Sequence, residues 1–168
     1  WVAKVAERHA GVYGPGQTQQ GDARKCNLPD ESVDVFFTDP PYYDAVPYAD
    51  LSDFFLAWLK PLEEKLLGPL TWDSNDTLSP KDCEAVWNQA HQYDGKVKDP
   101  AYFESAMQEA FIEGRRILRP TGVSCVVFAH KTTEGWEALL TGLLRGGWVI
   151  TASWPIVTER AVRTNAQN

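Results

Sequence analysis

The spacing of apolar positions changes several times along this chain, and each change predicts an element. Residues 1–10 (WVAKVAERHA) have helical spacing and run into Gly11, a residue suited to a helix C-terminal cap. The stretch GVYGPGQTQQ reads as loop, Gly21-Asp22-Ala23 as the opening of a short strand, and residues 28–32 (LPDES) as a turn. Val33–Thr38 is β-branched and aromatic, which predicts a buried strand ending at Asp39. From Ala49 to Lys60 the apolar residues Leu51, Phe54, Phe55, Trp58 and Leu59 recur at helical spacing, and Pro61 should stop that amphipathic helix.

Residues 66–100 are polar and broken by Gly68, Pro69, Pro80, Gly95 and Pro100; they read as an insertion with one short helix near 80–92. Ala101–Leu118 is the clearest helix, with Phe103, Met107, Ala110, Phe111, Arg115 and Leu118 on one stripe, ended by Arg119-Pro120-Thr121-Gly122. Val123–Ala129 is a nearly continuous apolar run, which predicts a central strand covered on both faces. Thr133–Arg145 should be helical up to Gly146-Gly147, and Trp148–Val157 a strand bent near Ser153-Trp154-Pro155. Trp58, Trp136 and Trp148 fall on apolar faces and are expected in the core. The order of elements predicts an α/β domain, a mostly parallel sheet with helical crossovers.

Composition adds limits. The 168 residues are enough for one domain with a core, and 43 % hydrophobic with 23 % charged is ordinary for a globular protein. No apolar run reaches the roughly 18–20 residues of a membrane span. The start, Trp1-Val2-Ala3-Lys4, has no signal-peptide layout and reads as a cut from a longer protein. Cys26, Cys83 and Cys125 are widely spaced with no Cys-x-x-Cys pair, which argues against zinc and disulfides and for reduced thiols in a cytoplasmic protein. The net charge of −7 argues against tight nucleic-acid binding by this chain alone, since phosphate neutralisation supplies most of such affinity.

The chemistry concentrates at Asp39-Pro40-Pro41-Tyr42. In open α/β sheets ligands bind beyond the carboxyl ends of strands, where this tetrapeptide would sit. Two prolines fix φ and remove two amide donors, leaving carbonyls free for a ligand. Asp39 adds a carboxylate and Tyr42 a flat ring; together they suit a planar base bearing an exocyclic amine. Tyr43 and Tyr48 are further candidates to line that pocket. His130 and Lys131 follow the strand 123–129 at the same end and are candidates for substrate or phosphate contact. Asp44 flanks the motif, and Asp50 should cap the following helix. Glu159 and Arg160 are weaker candidates after the last strand.

Asp-Pro-Pro-Tyr after a hydrophobic strand resembles motif IV of the amino-methyltransferases that modify adenine N6 or cytosine N4. The run TDPPYYDAVPYADLSDFFLAWLK, with GRRILRPTG, FAHKTTEGWEALL and GGWVITASWPIVTE, resembles the DUF1156-type adenine-specific DNA methylases, from about Gly21 to Glu159. The resemblance implies a Rossmann-like fold, incomplete here, and S-adenosylmethionine as cofactor. It implies methyl transfer to adenine N6 in DNA, with Asp39, Pro40, Pro41 and Tyr42 catalytic. Tyr42, Tyr43, Tyr48, His130 and Lys131 would meet the flipped-out base. Asp22, with Asp39, matches a cofactor-binding position, although a plain turn aspartate is an equal reading. Segment 66–100 would carry target contacts, and no metal is implied. An RNA base, cytosine N4, a protein glutamine amide and a non-catalytic binding module remain alternatives.

One part of the pattern is missing. Such enzymes hold the cofactor on a Gly-rich loop between a strand and a helix. Val12–Gly16 follows no hydrophobic strand, and too few residues separate it from Asp22 to form the helix. The cofactor loop is therefore expected upstream, in a preceding portion of the parent protein. Residues 1–168 alone should bind the cofactor weakly or not at all. Titration calorimetry checks this, and micromolar binding would refute it.

Overall fold

The computed structural model describes residues 2–12, 16, 17, 19, 21–44, 46–62, 78, 79, 81–93 and 95–156. In chain order its elements are α1 (Val2–His9), β1 (Val33–Thr38), α2 (Tyr48–Leu62), β2 (Asn88–Tyr93), β3 (Lys96–Lys98), α3 (Pro100–Ile117), β4 (Leu118–Val126) and α4 (Thr133–Arg145). The chain is mixed α/β. β1 and β4 pair in parallel, while β2 and β3 form a separate antiparallel hairpin.

α3 is the centre of the packing. It starts sharply because Asp99 accepts the Tyr102 N–H at 2.8 Å and Pro100 needs no amide partner at the first helical position. Its inward stripe is Phe103, Ala106, Met107, Phe111, Gly114 and Ile117. This shifts the predicted face: Arg115 is exposed and Ala110 half-buried, while Ala106, Gly114 and Ile117 take the buried positions. The stripe meets Ala138, Leu139 and Leu143 of α4, and Tyr43 joins from the loop after β1. Each large apolar side chain buried there contributes roughly 1.5–3 kcal/mol. Two glycines set the helix spacing. A Cβ on Gly142 would lie 3.3 Å from the Met107 Cβ, and one on Gly146 2.9 Å from the Phe111 Cβ.

The chain before β1 is tied to the far end of α3. The Cys26 N–H donates to Glu113 Oε1 at 2.7 Å, and Arg116 reaches Glu113, Asp30 and the carbonyls of Cys26 and Leu28. The Arg116 guanidinium holds the Glu113 carboxyl down at about 2. The Ser32 N–H then donates to the Ile117 carbonyl, which delivers the chain in register for β1.

Several expectations are corrected. The apolar run in β4 is covered on one face only. Phe36, Val126 and Phe128 pack toward α3 and α4, whereas Val35, Phe37 and Val123 are 60 %, 67 % and 65 % exposed. β4 begins earlier than predicted, at Leu118, because residues 119–122 bulge between the Val33–Leu118 and Val35–Val123 pairs. α2 runs through Pro61 to Leu62. Its predicted stripe of Leu51, Phe54, Phe55 and Trp58 is exposed, and Ala49 and Leu56 are buried instead. Where a short helix is expected near 80–92, residues 81–87 are irregular chain followed by β2. Residues 148–156 form no strand, since among the described residues no neighbouring strand there supplies a ladder. Among the three tryptophans expected in the core, Trp148 stacks on Phe36 at 5.6 Å, Trp136 is 41 % exposed, and Trp58 is 69 % exposed. Glu159, Arg160 and residues 66–77, 80 and 94 of the expected insertion lie outside the described residues. Among the described residues, no helix is long and apolar enough to cross a membrane.

Gly114 fixes how closely β1 approaches α3, because a Cβ there would lie 2.6 Å from the Phe36 ring. Gly114→Ala should gain roughly 1 kcal/mol of helix propensity but lose about 1–3 kcal/mol to overpacking. A lower urea midpoint, restored when Phe36→Leu is added, is the expected result.

Candidate active site

β1 ends where its sequence requires it to end. The last parallel rung is the Val127 N–H donating to the Thr38 carbonyl at 2.8 Å. Asp39 is the next residue, and Pro40 and Pro41 then remove two amides that a ladder would need. The chain turns away, burying Pro40 and leaving Asp39 exposed. Among the described residues the Asp39 carboxylate has no hydrogen-bond or ion-pair partner.

Asp39, Pro40, Pro41, Tyr42 and Tyr48 line one open cavity of about 380 Å³. Tyr42 is half-buried, its ring perpendicular to that of Phe128 at 6.2 Å. Tyr48 is the first residue of α2. Desolvation pushes its hydroxyl up in pKa, with Tyr42, Asp39 and Glu84 adding to the shift and a backbone hydrogen bond from Tyr42 opposing it. A second cavity of about 340 Å³, lined by Asp44, Pro47, Val86, Trp87 and Asn88, involves the same loop.

The loop from Asp39 to Tyr48 is held at four further points. The Tyr43 ring is buried, edge-on to Phe103 at 5.1 Å and tilted against Trp87 at 5.4 Å. The Tyr43 carbonyl accepts the Trp87 N–H at 2.8 Å. The Asp44 carboxylate meets His130 Nε2 at 3.1 Å. The Ala49 N–H, in the first turn of α2, donates to Glu84 Oε1 at 2.9 Å. Pro47, just before the helix, has no side-chain acceptor, so a carboxylate from 35 residues away does the capping. Asp50, expected to be the cap, lies inside the first turn with a carboxylate oxygen 3.8 Å from Lys81 Nζ. Asp53, one turn further on, binds Ser79 and Lys81, and those hydrogen bonds hold its carboxyl down at about 2.

His130 is placed to brace this loop. Its side chain is 3 % exposed and its ring stacks on Phe128 at 6.0 Å. The Thr132 backbone N–H points at Nδ1 from 3.2 Å. An amide can only donate, so Nδ1 is the bare nitrogen and Nε2 carries the proton given to Asp44. The Trp136 indole N–H donates to the His130 carbonyl at 3.2 Å, closing the α4 side.

The structure thus gathers Asp39, Pro40, Pro41, Tyr42 and Tyr48 at one cavity, and puts Tyr43 and His130 behind them as supports. Lys131 is exposed beside His130. Asp22 lies in a surface turn committed to Arg24, which meets it through its backbone N–H and two guanidinium nitrogens and lowers its pKa. Glu84 and Lys98 gave no local signal in the sequence, because each acts on chain that is remote in number. Among the described residues, no group of three or more histidine, cysteine or acidic side chains is placed to hold a metal. No family model, curated protein or solved structure matches this chain.

Gly135 allows the His130 contact: a Cβ there would lie 2.2 Å from His130 Nδ1. Gly135→Ala should push the imidazole away and break its bond to Asp44. The expected result is faster amide exchange at residues 42–44, with α3 protection unchanged. Unaltered exchange in the loop would show that His130 does not brace it.

Proposed function

We propose that this chain is the catalytic part of an S-adenosylmethionine-dependent methyltransferase of Rossmann-like fold, acting on the exocyclic N6 amine of adenine in DNA. The observation that carries the reading is the Asp39 carboxylate. It stands without a partner among the described residues, one position beyond the last rung of a parallel ladder, at a cavity with Pro40, Pro41, Tyr42 and Tyr48.

The chemistry follows from the amine. Its lone pair is delocalised into the base, which makes it a poor nucleophile. Hydrogen bonds from its N–H groups to the Asp39 carboxylate and the Pro40 carbonyl favour a more tetrahedral nitrogen and stabilise the positive charge that develops there. The base, flipped out of the duplex, stacks on Tyr42. The loop's attachments to Trp87, His130 and Glu84 hold the acceptor groups still, so little reorganisation is needed as charge develops.

S-adenosylmethionine supplies an electrophilic methyl group when bound. Among the described residues no glycine-rich turn links a strand to a helix, and Asp22 is occupied by Arg24. The described residues therefore fit the acceptor base and do not by themselves cradle the donor. The net charge of −7 favours a second reading, in which the planar amide nitrogen of a protein glutamine replaces the base.

The test is to express the full natural protein in a host lacking DNA methylases and quantify N6-methyladenine in digested genomic DNA by mass spectrometry. The wild type should produce the mark. Asp39→Ala should reduce it by about a hundredfold or more, the scale of losing one preorganised charge-stabilising group. A wild type that leaves no methylated base sinks the DNA reading, and methylglutamine in the host proteome would replace it.

A further inference from the structure

Lys98 is the only charged residue among the described ones whose burial places it in the core, with 0 % exposure. Its ammonium donates to the carbonyls of Lys81 and Glu84, at 2.5 and 2.6 Å, and lies 5.5 Å from the centre of the Tyr102 ring. Lysine is a costly choice for holding two neutral carbonyls, because burial disfavours the charged form. Burial does lower the Lys98 pKa, and the Glu84 charge is the largest influence restoring it. Glu84 is the residue whose Oε1 caps α2 at Ala49, beside the cavity residue Tyr48. Its Oε2 is buried and has no hydrogen-bond partner among the described residues. A carboxylate used only as a helix cap would gain nothing from keeping one oxygen in that state, since an amide or a shorter acidic residue caps as well.

We propose that Lys98 and Glu84 are positioning residues, forming a buried relay by which the β2–β3 hairpin sets the place of Tyr48 in the substrate cavity. Lys98 fixes the backbone of residues 81–84, Glu84 fixes the first turn of α2, and that turn carries Tyr48. Neither residue lines the cavity, so the relay acts on binding through the Tyr48 wall and leaves the Asp39 chemistry alone. The proposal rests on the reading that substrate adenine occupies this cavity.

Two readouts on the full natural protein test it. The first is methyl transfer to an adenine-containing oligonucleotide by Glu84→Ala, Lys98→Met and Tyr48→Phe, singly and combined. Alanine removes a single helix cap, and methionine keeps most of the buried volume, so both variants should fold. The expected result is a KM raised about fivefold, the scale of one lost cap, with kcat held, and no added effect of either change in the Tyr48→Phe background. The second is ultraviolet titration of tyrosine. Glu84→Gln removes a negative neighbour that acts with Tyr42 and Asp39 on Tyr48, so one phenol should titrate at lower pH, and that change should vanish in Tyr48→Phe.

An unchanged KM together with an unmoved titration overturns the relay. Effects that add fully to Tyr48→Phe also overturn it, because they would not pass through Tyr48. If the wild type transfers no methyl group, the adenine reading fails. The titration then stands by itself, and an unmoved phenol overturns the relay because Glu84 would not act on Tyr48.

Discussion

The parallel rung between Val127 and Thr38 is the contact on which the site depends. It is the last point at which β1 is held by its neighbour, and it fixes the direction in which Asp39 leaves the sheet. The two prolines that follow cannot extend the ladder, so the chain must turn. β4 runs parallel to β1 and also ends there, so its continuation brings Phe128 and His130 to the same end as Tyr42 and Asp44. An antiparallel partner would have carried its continuation to the opposite end of β1. The juxtaposition of loop and brace is therefore a property of strand direction.

The rest of the structure stiffens that loop. Tyr43 enters the α3–α4 core as an aromatic plug, and the edge-on contact with Phe103 gives the loop a buried anchor. His130 and Glu84 hold it from opposite sides in sequence, one after β4 and one before the hairpin. All these supports leave Asp39 alone. A carboxylate without a partner among the described residues is a feature that packing does not require.

Apolar surface is distributed unevenly. The face of β1 and β4 away from α3 exposes Val35, Phe37 and Val123, and α2 exposes Phe54, Phe55 and Trp58. Both carry the residue types of buried layers, and the ladder and the aromatic contacts Phe54–Phe55 and Phe54–Trp58 keep their form. This explains why the sequence pattern predicted a two-sided strand and a buried helix stripe. Hydrophobic pattern reports what a surface can pack against, and the presence of a covering layer is a separate matter.

Sequence by itself determined the elements whose signals are local. The bounds of β1, the start and length of α3 and α4, the Pro-Pro turn and its place beyond a strand all follow from side-chain period, caps and missing amides. The identity of the cavity-lining residues at 39–42 was legible for the same reason, as was the candidacy of Tyr48. Tertiary structure alone decided which candidates face the cavity and which support it. Tyr43 and His130 carry the same residue types a ligand site would use, and only packing against Phe103 and pairing with Asp44 turn them inward. The hairpin at 88–98 has no alternating apolar face to announce it, and Glu84 and Lys98 act across 35 and 14 residues of chain. Local pattern cannot encode such partners, because the energy that selects them comes from contacts formed only when distant segments meet.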